Sequence, residues 1–283
     1  MDTTFLIAIA TMGGLGFLFA GGLALADRKL RVEENPLIGK INDVLPGANC
    51  GGCGKAGCYD FAVNVVEGTS KINGCPVGGE DTVNAIAELL GVEAGSAIKM
   101  LPRILCKGGH IEAAKKMTDY YGPMSCTAMH LVGGGDKKCS YGCLGGGDCV
   151  VACPFDAMIM TENGLPEVIE DLCTGCGICE KACPRDIIEM HPENRSVFVL
   201  CKSHDDPKTA KEVCSVACSG CGICARKSEG AIVMDNFLPI INHEQVDASI
   251  IPFDKCKTGA IVNIHAKPEP VVEEVTEIEE KAE

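Results

Sequence analysis

The sequence predicts an α+β chain with one N-terminal transmembrane helix, a small helical domain, and a tandem pair of cysteine-rich α+β repeats whose second copy is degenerate. Three observations predict it. Residues 3–26 are uncharged and strongly apolar. Twenty of the 283 residues are cysteine, and twelve of these fall into three compact runs. Short apolar segments follow the runs, as closing strands do.

At 24 residues, the stretch 3–26 can span a bilayer as a helix. A cleaved signal peptide is the competing reading, because Ala24-Leu25-Ala26 resembles a cleavage site. Against it, the leader carries Asp2 and no lysine or arginine, and the apolar run is too long for a signal core. Arg28, Lys29 and Arg31 follow the run, which by the positive-inside rule puts the C-terminal side in the cytoplasm. The expected anchor is 1–27 in a cell membrane, crossing once. Gly16, Ala20 and Ala24 recur at every fourth position. That spacing suits the close approach of another membrane helix, and equally reflects how common small residues are in such helices.

Residues 28–45 read as a polar linker containing a proline, and 46–100 as a small domain. Its pattern is Cys50-x2-Cys53-x4-Cys58-x16-Cys75-Pro76, with glycine filling the loop as a chain wrapped tightly round a metal centre requires. A helix is expected over 59–67. A second, over 81–91, has Val83, Ile86, Leu89 and Leu90 on one face.

A connecting segment, 101–136, leads to the runs. They are Cys139-x3-Cys143-x5-Cys149-x3-Cys153-Pro154, Cys173-x2-Cys176-x2-Cys179-x3-Cys183-Pro184, and Cys214-x3-Cys218-x2-Cys221-x2-Cys224. The middle run is the C-x2-C-x2-C-x3-C-P signature of a bacterial-type [4Fe–4S] ferredoxin. Such a cluster needs four thiolates from different directions. One tight loop gives three, and the fourth comes from a distance. Residues 137–192 are therefore expected to form a two-cluster ferredoxin-like domain, with strands at Asp156-Ala-Met-Ile-Met and Asp186-Ile-Ile-Glu-Met. A turn and strand at Gly164-Leu-Pro-Glu-Val-Ile lie between them.

Residues 193–265 look like a worn second copy. Leu105-Cys106-Lys107 resembles Leu200-Cys201-Lys202, and Cys139-Ser-Tyr-Gly-Cys143 resembles Cys214-Ser-Val-Ala-Cys218. The first copy has Gly146 where the second has Cys221, so Cys139 is the expected substitute ligand. In two-cluster ferredoxins the last cysteine of each run serves the other cluster. One cluster is then expected on Cys139, Cys143, Cys149 and Cys183, and its partner on Cys153, Cys173, Cys176 and Cys179. Ser228 stands where the second copy should have its fourth run cysteine, and only Cys256 remains of the run after it. Cys256 becomes the remote ligand for Cys218, Cys221 and Cys224. With Cys50, Cys53, Cys58 and Cys75 the expectation is four [4Fe–4S] clusters, within a range of three to five. Cys106, Cys126, Cys201 and Cys214 are left over. They read as buried structural thiols, or as part of an unusual cluster, or Cys214 as a replacement for Cys218.

A formal charge of −14 argues against nucleic-acid binding. Residues 266–283 are acidic, contain two prolines, and are expected to be disordered. Iron–sulfur clusters need a reducing compartment, which again puts the cysteine-bearing part on the cytoplasmic side. Zinc is the rival metal, chiefly at Cys50, Cys53, Cys58 and Cys75. The six histidines show no metal spacing, and no phosphate-binding loop or catalytic residue is evident.

With these motifs in order along nearly the whole chain, the sequence resembles the B-subunit family of the Rnf complex, a membrane-bound ion-translocating oxidoreductase. The segments Ala48-Asn-Cys50-Gly-Gly-Cys53-Gly, Cys75-Pro-Val-Gly-Gly-Glu80, Tyr141-Gly-Cys143-Leu-Gly-Gly-Gly-Asp-Cys149 and Cys173-Thr-Gly-Cys176-Gly-Ile-Cys179 carry the likeness. The resemblance implies a protein that takes electrons from soluble reduced ferredoxin. It would pass them toward flavin and iron–sulfur partner subunits in the membrane and then to NAD, with Na⁺ or H⁺ translocation. The linker would suit a mobile arm. Rival expectations are an electron-transfer subunit of a hydrogenase or formate-oxidising assembly, and a zinc-stabilised, membrane-anchored interaction protein.

Overall fold

A computed structural model describes residues 3–30, 35–95, 98–114 and 116–265. The acidic stretch 266–283 and Arg31 lie outside the described residues. Helix α1 (Thr3–Leu30) opens the chain. At 1.5 Å per residue it is about 42 Å long, more than a hydrocarbon core of about 30 Å. It is long and apolar enough to cross a membrane, and Met12, Phe17 and Leu18 project from it uncovered.

The expected linker is partly helical. Pro36 fits the first helical position, where its missing N–H costs nothing, and the Asn35 side chain accepts from the Leu37 N–H at 3.0 Å. This starts α2 (Pro36–Val44), which packs against α3 (Cys58–Val66) and α4 (Gly79–Leu90). Ile41, Phe61, Ala62, Val65 and Ile86 form their shared core. The linker reading missed Ile38, Ile41 and Leu45, an apolar face too short to register as a periodic helix. Gly91 ends α4 at φ +67°, a left-handed cap.

Among the described residues, eight strands follow and form four antiparallel pairs. β1 (Met100–Ile104) pairs with β4 (Ile188–Pro192), and β2 (Met158–Met160) with β3 (Pro166–Val168). The pattern then recurs. β5 (Val197–Val199) pairs with β8 (Ile261–Asn263), and β6 (Ile232–Asp235) with β7 (Leu238–Ile241). β1 thus falls within the segment expected to be only a connection. Between the strands lie α5 (Cys126–Leu131), α6 (Asp148–Val151), α7 (Ile178–Lys181), α8 (Pro207–Val213) and α9 (Ile223–Lys227).

The two halves differ in what fills them. In the first, Cys143, Cys149 and Cys179 share the buried core with Met158, Ile187 and Ile188. In the second, the main buried cluster is hydrocarbon, Val197, Val199, Ile232, Leu238, Ile251 and Ile261, with Cys201, Cys218, Cys224 and Cys256 packed at its edge and Cys214 buried in a separate cluster with Ala210 and Val213.

Candidate iron–sulfur sites

Three of the cysteine loops are built by one local device. Gly147, Gly177 and Gly222 adopt left-handed φ of +77°, +73° and +65°, each immediately before a short helix. The turn reverses the chain and brings Cys149, Cys179 and Cys224, two residues on, back over the loop.

Cys50, Cys53, Cys58 and Cys75 line one pocket of about 320 Å³, closed by Phe61 and Pro76. Asn49 holds the loop by accepting from the Cys58 N–H at 2.8 Å, and the Gly52 N–H points at Cys50 Sγ at 3.5 Å. Cys218, Cys221, Cys224 and Cys256 line a second pocket, of about 410 Å³. Here Cys256 arrives from the 3₁₀ turn Phe253–Lys255, as the remote member of the set. Around Cys179 the neighbouring thiols are Cys176, Cys173 and Cys153, the set the sequence predicts.

The remaining set differs from expectation. Cys143, Cys149 and Cys183 line a pocket of about 350 Å³ together with Cys126, while Cys139 lines a different cavity. The reason lies at Gly146. A Cβ there would meet the Cys126 nitrogen at 2.6 Å and the Ser125 carbonyl carbon at 2.8 Å. The position lacking a cysteine is thus filled by the start of α5, which delivers Cys126 into that corner. Asp148 holds it there. One carboxylate oxygen accepts from the Cys126 N–H at 2.9 Å, and the other from the Thr127 N–H, the Thr127 hydroxyl and the Ser125 hydroxyl at 2.9, 2.9 and 3.0 Å. Burial alone would raise the Asp148 carboxyl, but these donors outweigh it and hold the group below the usual aspartate range. The sequence signal was an Asp directly before Cys149, which spacing alone does not distinguish from a helix start.

Ser228, at the lost fourth position of the second copy, is 1 % exposed and fully engaged. Its hydroxyl donates to the Ala225 carbonyl at 2.9 Å and accepts from the Ile232 N–H at 2.9 Å.

These residues fit clusters better than single ions. Among the described residues, no three His, Cys, Asp or Glu side chains converge tightly enough for one metal ion. Zinc needs four ligands about 2.3 Å from a single centre, whereas each thiolate of a cubane binds its own iron and stands farther from its neighbours. Burial pushes Cys143 up to about 11, Cys149 and Cys179 to about 12, and Cys218 to about 11. Such thiols stay protonated at neutral pH until a metal replaces the proton. Burial also acts to raise Cys256, but donors from Ile261, Thr258 and Ala260 overcome it and lower that thiol. His191 and His243 pack on Phe198, with ring centroids 5.0 and 5.2 Å away.

A family model described as "Putative Fe-S cluster" matches residues 45–77, and one described as "4Fe-4S dicluster domain" matches residues 140–190. Similar proteins extend the likeness to most of the chain. The B subunit of the Na(+)-translocating ferredoxin:NAD(+) oxidoreductase complex of Acetobacterium woodii is 41 % identical over 92 % of this chain and 78 % of its own length. The B subunit of the ion-translocating oxidoreductase complex of Methanosarcina acetivorans is 41 % identical over 88 % of this chain and 94 % of its own. The B subunit of the proton-translocating ferredoxin:NAD(+) oxidoreductase complex of Clostridium ljungdahlii is 38 % identical over 92 % and 93 %.

Proposed function

Because the chain belongs to the B-subunit family of ion-translocating oxidoreductase (Rnf-type) complexes, we propose that it receives electrons from reduced ferredoxin on the cytoplasmic side and relays them to membrane partners bearing flavin and iron–sulfur centres. The chain is an iron–sulfur electron-transfer subunit of a Na⁺- or H⁺-translocating ferredoxin:NAD oxidoreductase complex. Bound [4Fe–4S] clusters supply one-electron chemistry. The chain's own residues hold, bury and space them.

Four ligand sets are proposed: Cys50, Cys53, Cys58 and Cys75; Cys126, Cys143, Cys149 and Cys183; Cys153, Cys173, Cys176 and Cys179; and Cys218, Cys221, Cys224 and Cys256. The recurring strand pairing supports two ferredoxin-like units, the second reduced to one cluster in its own loops. The carrying observation is adjacency. A Cβ on Gly52 would lie 2.8 Å from the Cys176 carbonyl oxygen, so the loop of the first set touches that of the third. Cys179 and Cys183, one turn apart, belong to different sets, as do Cys149 and Cys153. Electron tunnelling falls steeply with distance, and this shared framework keeps the steps short. Helix α1 would anchor the unit at the bilayer, with Arg28 and Lys29 marking the cytoplasmic end.

The test is anaerobic mixing of the full chain with pre-reduced ferredoxin, following the thiolate-to-iron absorption near about 400 nm. Bleaching at a rate that rises with ferredoxin concentration is expected. A chain that dithionite bleaches and ferredoxin does not would sink the proposed donor.

A further inference from the structure

The cysteines outside these four sets are not scattered packing. Cys106, Cys139, Cys201 and Cys214 line a single cavity of about 450 Å³, as large as the pockets of the proposed clusters. A thiol that only packs needs no other thiol beside it. Here four thiols from two separate segments of each half face one pocket, as the thiols of the other sets do. Nearby glycines leave room between them: a Cβ on Gly108 would lie 2.8 Å from Cys214 Sγ, and one on Gly142 would lie 3.3 Å from Cys139 Sγ and 3.5 Å from Cys106 Sγ.

The set has internal two-fold character. Cys106 comes two residues after β1 and Cys201 two residues after β5. Cys139 and Cys214 each open a run, four residues before Cys143 and Cys218. The Cys143 N–H points at Cys106 Sγ at 3.4 Å, and the Cys218 N–H acts on the Cys201 thiol from the matching position. Each half therefore contributes two thiols and one matching backbone donor. The seam is joined beside the cavity by Lys107 N–H to the Leu200 carbonyl at 3.2 Å and Ser215 N–H to the Glu112 carbonyl at 2.9 Å. Lys137 also lines the cavity, only 6 % exposed, with Nζ donating to the Gly108 carbonyl at 3.3 Å. A buried ammonium beside four thiols suits an anionic centre, since four thiolates outweigh the charge of the iron–sulfide core.

We propose that Cys106, Cys139, Cys201 and Cys214 bind a fifth [4Fe–4S] cluster, shared between the two halves of the chain. It rests on the electron-transfer reading above and extends it. The backbone contacts through Cys143 and Cys218 put this site between the set on Cys143 and the set on Cys218. It supplies the step that joins the second half to the first. Each of the chain's twenty cysteines then has a cluster to bind.

The test compares the full chain, purified without oxygen in detergent, with Cys106→Ala/Cys201→Ala, by iron and acid-labile sulfide per chain. Two thiols cannot hold a cubane, so the double variant is expected to lose about four irons and four sulfides from a wild-type total of about twenty of each. Equal iron in the two proteins overturns the fifth cluster and leaves the relay reading standing. Wild-type protein without iron or sulfide overturns both. Should the variant unfold and lose more than four, the wild-type total decides: about twenty requires a fifth site, and about sixteen rejects it.

Discussion

Asp148 is the sharpest point at which to test the ligand assignment. Replacing it with alanine removes four hydrogen bonds from the Ser125–Thr127 turn without touching a cysteine. Water can replace the carboxylate at exposed Thr127 and at the Ser125 hydroxyl, at about 0.5 kcal/mol for each of the three bonds. The Cys126 residue is buried, and stranding its N–H costs about 1–3 kcal/mol. The total is about 2.5–4.5 kcal/mol, which favours displacement of Cys126 by roughly seventy- to two-thousand-fold. Chelator challenge of the anaerobic protein at pH 7 reads this directly. About four irons per chain should leave faster in Asp148→Ala by that factor, with the remainder keeping wild-type kinetics. Asp148→Asn retains one acceptor oxygen and should fall between. The carboxyl is held low in the folded chain, so its contribution is complete above the ordinary aspartate range and is lost as pH falls through and below it. The acceleration caused by Asp148→Ala should therefore shrink in acid. Overlaid chelation curves for wild type and Asp148→Ala would refute the role of Cys126, and the same curves for Cys126→Ala would return the site to Cys139.

Gly52→Ala should separate the first domain from the Cys176 loop, because its Cβ meets backbone atoms that cannot swing away. A cost of about 1–3 kcal/mol is expected in thermal unfolding, together with slower internal electron transfer and unchanged iron. Ser228→Cys restores the lost run cysteine but should add no iron, since Cys256 alone remains of the following run. It should destabilise by about 1–2 kcal/mol in denaturant titration through the two lost hydroxyl bonds. Deleting residues 1–27 should leave the iron content unchanged and shift the chain from the membrane fraction to the supernatant, because α1 is not buried by the rest of the chain.

The sequence made legible what short loops encode. The middle run names its chemistry because its three close cysteines and left-handed Gly177 sit within one turn. Cys256 was readable as the remote member of the Cys218, Cys221 and Cys224 pocket because the repeat supplied its alignment. Cys126 was not, since it lies 23 residues before Cys149 and reaches it only through the side chain of Asp148. Cys139 was placed with Cys143 on spacing alone, four residues apart in sequence, whereas it lines the cavity of Cys106, Cys201 and Cys214 and not the pocket of Cys143, Cys149 and Cys183. β1 pairs with β4 across more than eighty residues, and its Met-Leu-Pro-Arg-Ile sequence gives no alternating pattern. Cys106 and Cys201 were recognised as equivalent, but their convergence depends on how the two halves dock, which the repeat alone does not specify.

The unequal cores of the two halves bear on how the chain is made. A newly synthesised first half has thiols where hydrocarbon would sit, so its collapse waits on metal delivery. The second half centres on an aliphatic cluster with its thiols mostly at the edge, and Ser228 closes its vacated corner with hydrogen bonds instead of a metal ligand. Under iron starvation the two should part company: the C-terminal portion reaches a protease-resistant shape while the portion between it and the membrane stays open to degradation. Iron supply would then set the abundance of the complex through quality control of this one chain, before any electron moves.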